Sequence, residues 1–278
     1  GGAAGVVTAR VMVGDLFDRE EQAGKQATLM MVVLLSPAIA PVIGGVLAAL
    51  GGWRLVPGVL AAAALAALAV ALWLLPARPA QGATSPPRPF LGDLARLLRN
   101  RQFLAITVTL AGGSSALYMF LSSAAFLLVH DFGLTESQAG PCFLLVAASS
   151  IAGTRLVAPL ARRGDAVLAG VGMILCAALI ELALGAAGIT GPAALIGPMM
   201  LLGLGAGVVG PSAISILLYV EEGLAGTATS IAGAAQMLVS GGATVLLAQF
   251  APVSPLRLAL ALTIAAIIGF GAACARRR

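Results

Sequence analysis

Acidic side chains are the residues of this sequence that come closest to a catalytic pattern. Asp15 and Asp18 have the D-x-x-D spacing that can hold magnesium in a prenyltransferase or phosphotransferase, but no second acidic cluster faces them. The Glu221-Glu222 pair would suit an intramembrane protease, yet residue 226 is Gly where such a motif has Arg. A single histidine excludes zinc sites of the H-E-x-x-H type, and no G-x-S-x-G nucleophile elbow occurs. The sequence therefore predicts no enzyme, and a membrane-embedded enzyme is the least favoured alternative.

Glu181 is the carboxyl group that lies well inside an apolar segment. Ionisable residues within a membrane are commonly functional, and a carboxyl group there can carry a proton. Glu181 follows Asp165 by 16 residues, or about 24 Å of helix, which places it near the far end of its segment. We interpret it either as a proton-coupling residue or, in the favoured reading, as a snorkelling residue at the membrane interface.

No metal or nucleotide site is expected. Cys142, Cys176 and Cys274 show neither CxxC nor Cys/His spacing, so neither a metal site nor a disulfide framework is indicated. The phosphate-binding pattern G-x-x-x-x-G-K-[ST] is also missing from the sequence. We therefore expect no cofactor, and an energy-requiring process would have to use an ion gradient.

The composition is that of an all-α membrane protein. Hydrophobic residues make up 60% of the 278 residues, charged residues only 10%, and the mean hydropathy is +1.03. A membrane-spanning helix needs about 20 apolar residues, and about eight segments meet that length. They cover residues 27–50, 55–75, 103–129, 138–160, 166–188, 194–219, 225–249 and 256–275, and residues 1–14 are read as the end of a further span.

The positive charges report orientation and not nucleic-acid binding. The formal net charge is +5, but the basic residues are unevenly placed if the segments alternate across the bilayer. Arg54 and Arg257 then lie on one side and the others on the opposite side, which predicts a cytoplasmic C-terminus. The residues on the cytoplasmic side are Arg10, Arg19, Lys25, Arg78, Arg88, Arg96, Arg99, Arg101, Arg155, Arg162, Arg163 and Arg276 to Arg278.

A hydrophilic interruption divides the chain into two groups of spans. Residues 77–89 are rich in Pro, Ala and Arg and indicate a flexible segment. Residues 90–101 set leucines against Asp93, Arg96 and Arg99, which predicts an amphipathic helix at the cytoplasmic membrane surface. We therefore predict an N-terminal group over 1–76, a linker over 77–102 and a six-helix group over 103–278.

A stripe of helix-weakening residues marks the first apolar segment. Pro37, Pro41, Gly44 and Gly45 fall near one face of a helix. Such a stripe allows close packing and bending, so it indicates a hinge.

This stripe is one of four stretches in which the chain resembles the major facilitator superfamily. Within that superfamily, the chain resembles the drug-resistance efflux transporters of the Bcr/CflA type. The stretch Ser36 to Gly45 is similar to the antiporter motif of the fifth helix. The other three stretches match the end of helix four, the turn between helices seven and eight, and the start of helix eleven. They are Ala9-Arg10 with Asp15-Leu16-Phe17, Phe132 to Thr135 with Gln138 and Gly140, and Ala225 to Ser230 with Gln236-Met237-Leu238.

The resemblance also has departures. Gly14 stands where an Arg is expected before Asp15, and helices one to three have no counterpart, so we expect an N-terminally truncated form that runs from part of helix four to helix twelve. The acidic residue that commonly exchanges the proton in such antiporters would lie in the missing part.

The resemblance implies proton-coupled export of small amphipathic drugs by alternating access across the bacterial inner membrane. Two helical groups would rock about a central cavity. Helices four, seven and ten would line it, five, eight and eleven would pack beside it, and six, nine and twelve would face lipid. The expected partners are drug-like substrates, protons and the lipid bilayer, and the expected oligomeric state is a monomer.

Two sets of residues are candidates for this mechanism. The candidate substrate cavity is formed by Tyr118, Met119, Ser122, Ser212, Ser215 and Gln236, since an aromatic ring, a thioether and hydroxyl groups suit an apolar drug. The candidate cytoplasmic latch is formed by Arg10, Asp15, Arg155, Arg162, Arg163 and Asp165. For each set, ordinary helix packing or topology determination is an open alternative.

Two other interpretations stay open. The glycine-rich run from Gly203 to Gly210 is either a gate or a surface for close helix packing. The whole chain is either part of a transporter or a non-transporting scaffold or inactive remnant.

Overall fold

The computed structural model describes residues 50–74, 90–221, 224–250 and 253–277, together with Met12 and four positions between 43 and 47. The chain divides into two compact units, Gly1–Arg88 and Pro89–Arg278. The described part of the first unit is mainly one helix, whereas the second unit is described almost completely. The predicted boundaries 1–76, 77–102 and 103–278 remain a prediction, and the division into units falls inside the predicted linker.

The described chain is helical. The helices are α1 (Leu55–Leu74), α2 (Phe90–Arg99), α3 (Arg101–Phe126), α4 (Glu136–Arg163), α5 (Ala166–Ala186), α6 (Pro192–Tyr219), α7 (Ala225–Ala248) and α8 (Pro255–Ala275). A π-helical turn over Leu127–Asp131 extends α3. These elements confirm the predicted all-α class for the residues that the structure describes.

Seven of the described helices are long and apolar enough to cross a membrane. They correspond to the predicted segments from 55–75 through 256–275. The segment predicted at 27–50 and the partial span at 1–14 lie almost wholly outside the described residues. The short helix α2 is the predicted amphipathic helix.

Polar side chains define where several helices begin. The Asn100 side chain accepts hydrogen bonds from the backbone N–H groups of Gln102 and Phe103 at the start of α3. The Asp165 side chain accepts one from Leu168 at the start of α5. Each bond satisfies an N–H group that has no partner within the helix, so these caps fix the helix starts.

In the second unit α3, α5, α6 and α8 form the centre. Helix α6 packs between α4 and α5, and α8 packs against both α3 and α5. Helix α7 packs mainly on α3. The buried core contains Phe103, Phe120, Ile174, Met199 and Leu262.

The lipid-facing position expected for helices nine and twelve, which are α5 and α8, stays a prediction. Helix α5 buries one face against α6 and α8, and α8 buries one against α3 and α5. Each exposes apolar side chains on its other side, including Ile180 on α5 and Ile267 on α8. Helices α4 and α7 are more exposed along their described length.

Glycine residues set the distance between α6 and its two neighbours. A methyl group on Gly207 would overlap the carbonyl oxygen of Ser150 in α4. A methyl group on Gly203 would lie 2.6 Å from the carbonyl oxygen of Val146, also in α4. On the other side, a methyl group on Gly205 would lie 2.5 Å from the carbonyl oxygen of Gly170 in α5. The segment from Gly203 to Gly207 is therefore a surface for close helix packing, which was one of the two interpretations of the glycine-rich run.

We predict that Gly207→Ala destabilises the second unit by about 1–3 kcal/mol, because the added methyl group forces α6 away from α4. The matched control is Gly210→Ala on the same helix, where an added Cβ meets nothing within 4 Å. The midpoints of thermal unfolding, measured for both variants of the complete gene product in detergent, test this difference. Equal midpoints would contradict the close contact.

Candidate functional site

Tyr118 and Ser122 share one exposed face of α3. They are four residues apart and thus about one helical turn apart on the same side. Tyr118 is 39% exposed, and Ser122 is exposed while its hydroxyl donates to the carbonyl oxygen of Met119 at 3.0 Å. Tyr118 follows Arg101 by 17 residues, or about 25 Å of helix. An aromatic ring and a hydroxyl group are therefore available together on one surface of the unit.

Met119 does not belong to that surface. Its side chain is 3% exposed and contributes to a groove between α3, α7 and α8. One residue turns a helix by about 100°, so neighbours in sequence point in different directions. The predicted trio of Tyr118, Met119 and Ser122 is thus divided between two surfaces.

The two serines of α6 also separate. Ser212 is buried and its hydroxyl donates to the carbonyl oxygen of Val208 at 2.7 Å. Ser215 is exposed, and its hydroxyl donates to the carbonyl oxygen of Pro211 at 3.0 Å. Ser215 follows Pro192 by 23 residues, or about 35 Å, so it lies near the opposite end of the unit from Tyr118. The Ser212 hydroxyl does not reach an open surface.

Gln236 connects α7 to α3. Its amide nitrogen donates to the Ser114 hydroxyl at 2.5 Å, and the hydroxyl groups of Ser115 and Ser240 lie 3.4 Å apart one turn further along α7. Side-chain hydrogen bonds of this kind hold membrane helices together. The arrangement corresponds to the helix-packing alternative for Gln236, although the residue is only half-buried.

The Glu181 side chain points into the helical unit. Its side chain is 4% exposed, and its Oε2 atom has no hydrogen-bond partner among the described residues. It shares a face of α5 with Gly170 and Ile174, which contact α6 and α3. The favoured reading as a snorkelling residue is therefore wrong, because the distance along the helix was considered without the direction of the side chain.

Asp165 is tied to the C-terminal end of the chain. Its Oδ2 atom accepts from Arg276 and, at 3.3 Å, from Arg277. Burial, together with the nearby charge of Arg277, lowers the pKa of the Arg276 guanidinium from its ordinary value. The Asp165 and Arg276 side chains are each 13% exposed, so their pairing is largely shielded from water.

The other predicted latch residues do not join this pair. Arg155, Arg162 and Arg163 are exposed, and no ion pair connects them with Asp165 in the described chain. These arginines were expected to join Asp165 because they are close to it in sequence, whereas Asp165 points towards the end of α8. Arg10, Asp15, Pro37, Pro41 and Gly45 lie outside the described residues, and Gly44 is helical.

A second polar cluster at the same end was missed by the sequence analysis. The Arg96 guanidinium donates to Glu221 at 2.8 Å, and the Asn100 amide donates to the carbonyl oxygen of Val220 at 3.2 Å. Leu97 is wholly buried beneath α2. Helix α2 thus packs on α3 and α7, and Arg96 joins it to Glu221 just after the end of α6. Glu221 could have predicted this contact, because it is an acidic residue at the end of a span and α2 carries basic residues at the same end of the unit.

Comparison with known proteins identifies the family. A family model described as the Major Facilitator Superfamily matches residues 1–244 of the chain. The chain belongs to the Major Facilitator Superfamily. This superfamily consists of membrane transporters and not of enzymes, which confirms the prediction made from the acidic residues and the single histidine.

Two curated relatives carry drug-resistance names. Multidrug resistance protein D of Escherichia coli K12 is 28% identical over 243 residues, which cover 87% of this chain and 61% of that protein. The bicyclomycin resistance protein homolog of Haemophilus influenzae is 24% identical over 148 residues, which cover 52% of this chain and 37% of that protein. The chain therefore spans about three-fifths or less of the curated relatives it matches.

Solved structures of the same superfamily share the fold. A bacterial homologue of the human lysosomal transporter Spinster, in an inward-facing unoccupied conformation, matches with a TM-score of 0.67 and 16% identity. The match covers 96% of this chain and 74% of that one. The inward-facing occupied form has a TM-score of 0.63 and 17% identity over 96% and 73% of the two chains. At these identities the likeness shows the fold alone, and it confirms the predicted major facilitator architecture.

We predict that Asp165→Asn lowers the stability of this superfamily member by about 1–2 kcal/mol. Asn still caps α5, but it loses the charge that pairs with Arg276 and Arg277, and breaking a shielded pair leaves a poorly solvated cation. Asp131→Asn, at an exposed carboxyl group, is the control. Thermal unfolding midpoints in detergent measure the effect, and a wild-type midpoint for Asp165→Asn would show that the pair contributes nothing.

Proposed function

We propose that the complete gene product containing this chain exports small amphipathic drugs in exchange for protons, by alternating access. The observation that carries the proposal is the similarity over 87% of the chain to a relative named multidrug resistance protein D, within a superfamily of transporters. In this mechanism two groups of helices expose a central site to each side of the membrane in turn.

Tyr118 and Ser122 are the residues that we assign to drug contact. An aromatic ring offers a large apolar surface with a polar hydroxyl at its tip, and the neighbouring Ser122 adds a second hydroxyl. Both are exposed on α3, the helix that corresponds to the cavity-lining helix seven by resemblance. A loosely specified apolar ligand needs few polar contacts, so such a surface is sufficient for recognition.

The charge distribution supports a bacterial inner-membrane protein with a cytoplasmic C-terminus. Asp165 brings the end of α8 to the turn between α4 and α5, which carries Arg162 and Arg163. The pairing of Arg96 with Glu221 brings α2 to the end of α6. Because consecutive spans alternate in direction, all these basic residues lie at one end of the unit, as the positive-inside rule requires for the cytoplasmic side.

Tyr118→Ala in the complete gene product should reduce export of a fluorescent amphipathic dye by roughly three- to tenfold, since one aromatic contact is worth about 0.5–1.5 kcal/mol. Tyr219→Ala, at a tyrosine that is 88% exposed at the end of α6, is the control and should export normally. Dye efflux is measured from cells that lack other drug exporters. Absence of export by the wild type would contradict the proposed function, and equal export by both variants would remove Tyr118 from the site.

Glu181 is the residue that we assign to proton coupling within the second unit. Within the described spans, Glu181 carries a carboxyl group in the interior of a helix, whereas the carboxyl group of Asp131 lies at a helix end. An ionised carboxylate without a partner is costly in an apolar environment. A carboxyl group avoids this cost if it is protonated while it is buried and releases the proton when its environment opens to water. The buried side chain with its unpartnered Oε2 atom fits that role.

Glu181→Gln should uncouple export from the proton gradient while drug binding and the unfolding midpoint stay near wild type, because Gln resembles a neutral carboxyl group in size and polarity. Dye export is measured against the imposed pH gradient, and dye binding to purified protein is measured separately. Asp131→Asn is the control and should keep the gradient dependence. A Glu181→Gln variant with unchanged gradient dependence would exclude Glu181 as the coupling residue.

A further inference from the structure

A groove in the second unit lies between α7 and α8, with α3 as its floor. Its volume is about 570 Å³, within the range of small-ligand sites. Apolar residues line it, apart from Ser115 on α3 and Arg257 on α8. Both α7 and α8 pack on α3 but have little contact with each other. The two helices therefore stand apart as walls and leave α3 accessible between them.

Small residues of α3 make the groove deep. Ala111 and Gly112 form part of its floor. A methyl group on Gly112 would lie 2.7 Å from the carbonyl oxygen of Ala265, so α8 approaches α3 closely at this point. The upper walls carry exposed apolar side chains, including Leu246 and Ile264. Such a surface fits hydrocarbon better than water.

The length of the groove matches one leaflet of a bilayer. Along α8 its lining runs from Arg257 to Ile268, which is 11 residues or about 16 Å. The hydrocarbon core of a bilayer is about 30 Å thick, so one leaflet is about 15 Å. Arg257 is the third residue of α8 and thus lies at the membrane interface, while Ile268 lies near the midplane. A spanning helix of a partner protein would need a surface about twice as long.

Arg257 holds a positive charge at the interfacial end of the groove. Its Nη1 atom donates to the carbonyl oxygen of Phe250 at 3.0 Å, which fixes the guanidinium between α8 and the end of α7. Arginine binds phosphate oxygens with strong, charge-assisted hydrogen bonds, and phosphates lie at this depth in a bilayer.

We propose that this groove binds one phospholipid, with an acyl chain between α7 and α8 and the phosphate group at Arg257. The charge of the guanidinium is complementary to the phosphate, and the groove has the length and the apolar lining of an acyl-chain site. The site is separate from the surface of Tyr118 and Ser122, so it does not depend on the proposed drug export.

The test uses the complete gene product, purified in mild detergent and titrated with phosphatidylglycerol in native mass spectrometry. Ala243→Phe fills the groove from α7, and we expect it to weaken binding of the first lipid at least tenfold. Ala234→Phe is the matched control, since Ala234 is exposed on α7 and does not line the groove. It should bind the lipid like the wild type.

The charge is tested in the same titration. Arg257→Gln should weaken binding of the first phosphatidylglycerol roughly tenfold, whereas Arg101→Gln at the opposite end of α3 should not. If Ala243→Phe lowers the unfolding midpoint, Ala261→Phe is used instead and fills the groove from α8. If neither aromatic variant folds, the lipid affinity of Arg257→Gln tests the site. Equal lipid binding by the variants and their controls would overturn the proposal. So would displacement of the lipid from the wild type by rhodamine 6G, because the groove would then be a drug site.

Discussion

The close approach of α6 to α4 and α5 is the constraint on which the second unit depends. At Gly203, Gly205 and Gly207 the backbone of α6 lies against backbone carbonyl groups of its neighbours, and there is no room for a Cβ atom. Lipid is as apolar as leucine, so helices in a membrane gain little from burying apolar surface and depend on contact at short range. Glycine permits that contact on two sides of one helix, and α6 becomes the central element against which α4 and α5 are aligned.

This alignment explains the environment of Glu181. Gly170 and Ile174, which contact α6 and α3, lie on the same face of α5 as Glu181, so the contact that orders α5 also turns this carboxyl group inward. A helix held less closely could rotate and release the side chain towards the interface, where long polar side chains usually lie. The burial of an unpartnered carboxyl oxygen is thus a consequence of the glycine contacts two to three turns away.

Much of the fold could be predicted from the sequence, because length and apolarity alone define a membrane span. The seven described spans and helix α2 lie where hydropathy and charge indicated. The direction of individual side chains could not be predicted in this way, since helices such as α5 and α6 are apolar on all sides and no periodicity distinguishes their faces. The inward direction of Ser212 and Glu181 could not be predicted for that reason. Asp165 was grouped with Arg162 and Arg163, but its partner Arg276 is more than a hundred residues away, a distance that no local pattern spans.

The groove between α7 and α8 follows from the same physics. Gly112 brings α8 onto α3, and the bonds of Ser114 and Ser115 bring α7 onto α3. Between α7 and α8 the described residues show few contacts, and the bond from Arg257 to the carbonyl oxygen of Phe250 lies at the interfacial end of the groove. In water such a gap would close, because burial of its apolar walls is favourable. In a membrane the hydrophobic effect does not drive α7 and α8 together, and hydrocarbon chains of the lipid fill the gap between them. Arg257 then distinguishes the site from the rest of the lipid-facing surface, since it adds a fixed charge at the depth of the phosphate groups to a groove that any acyl chain could enter.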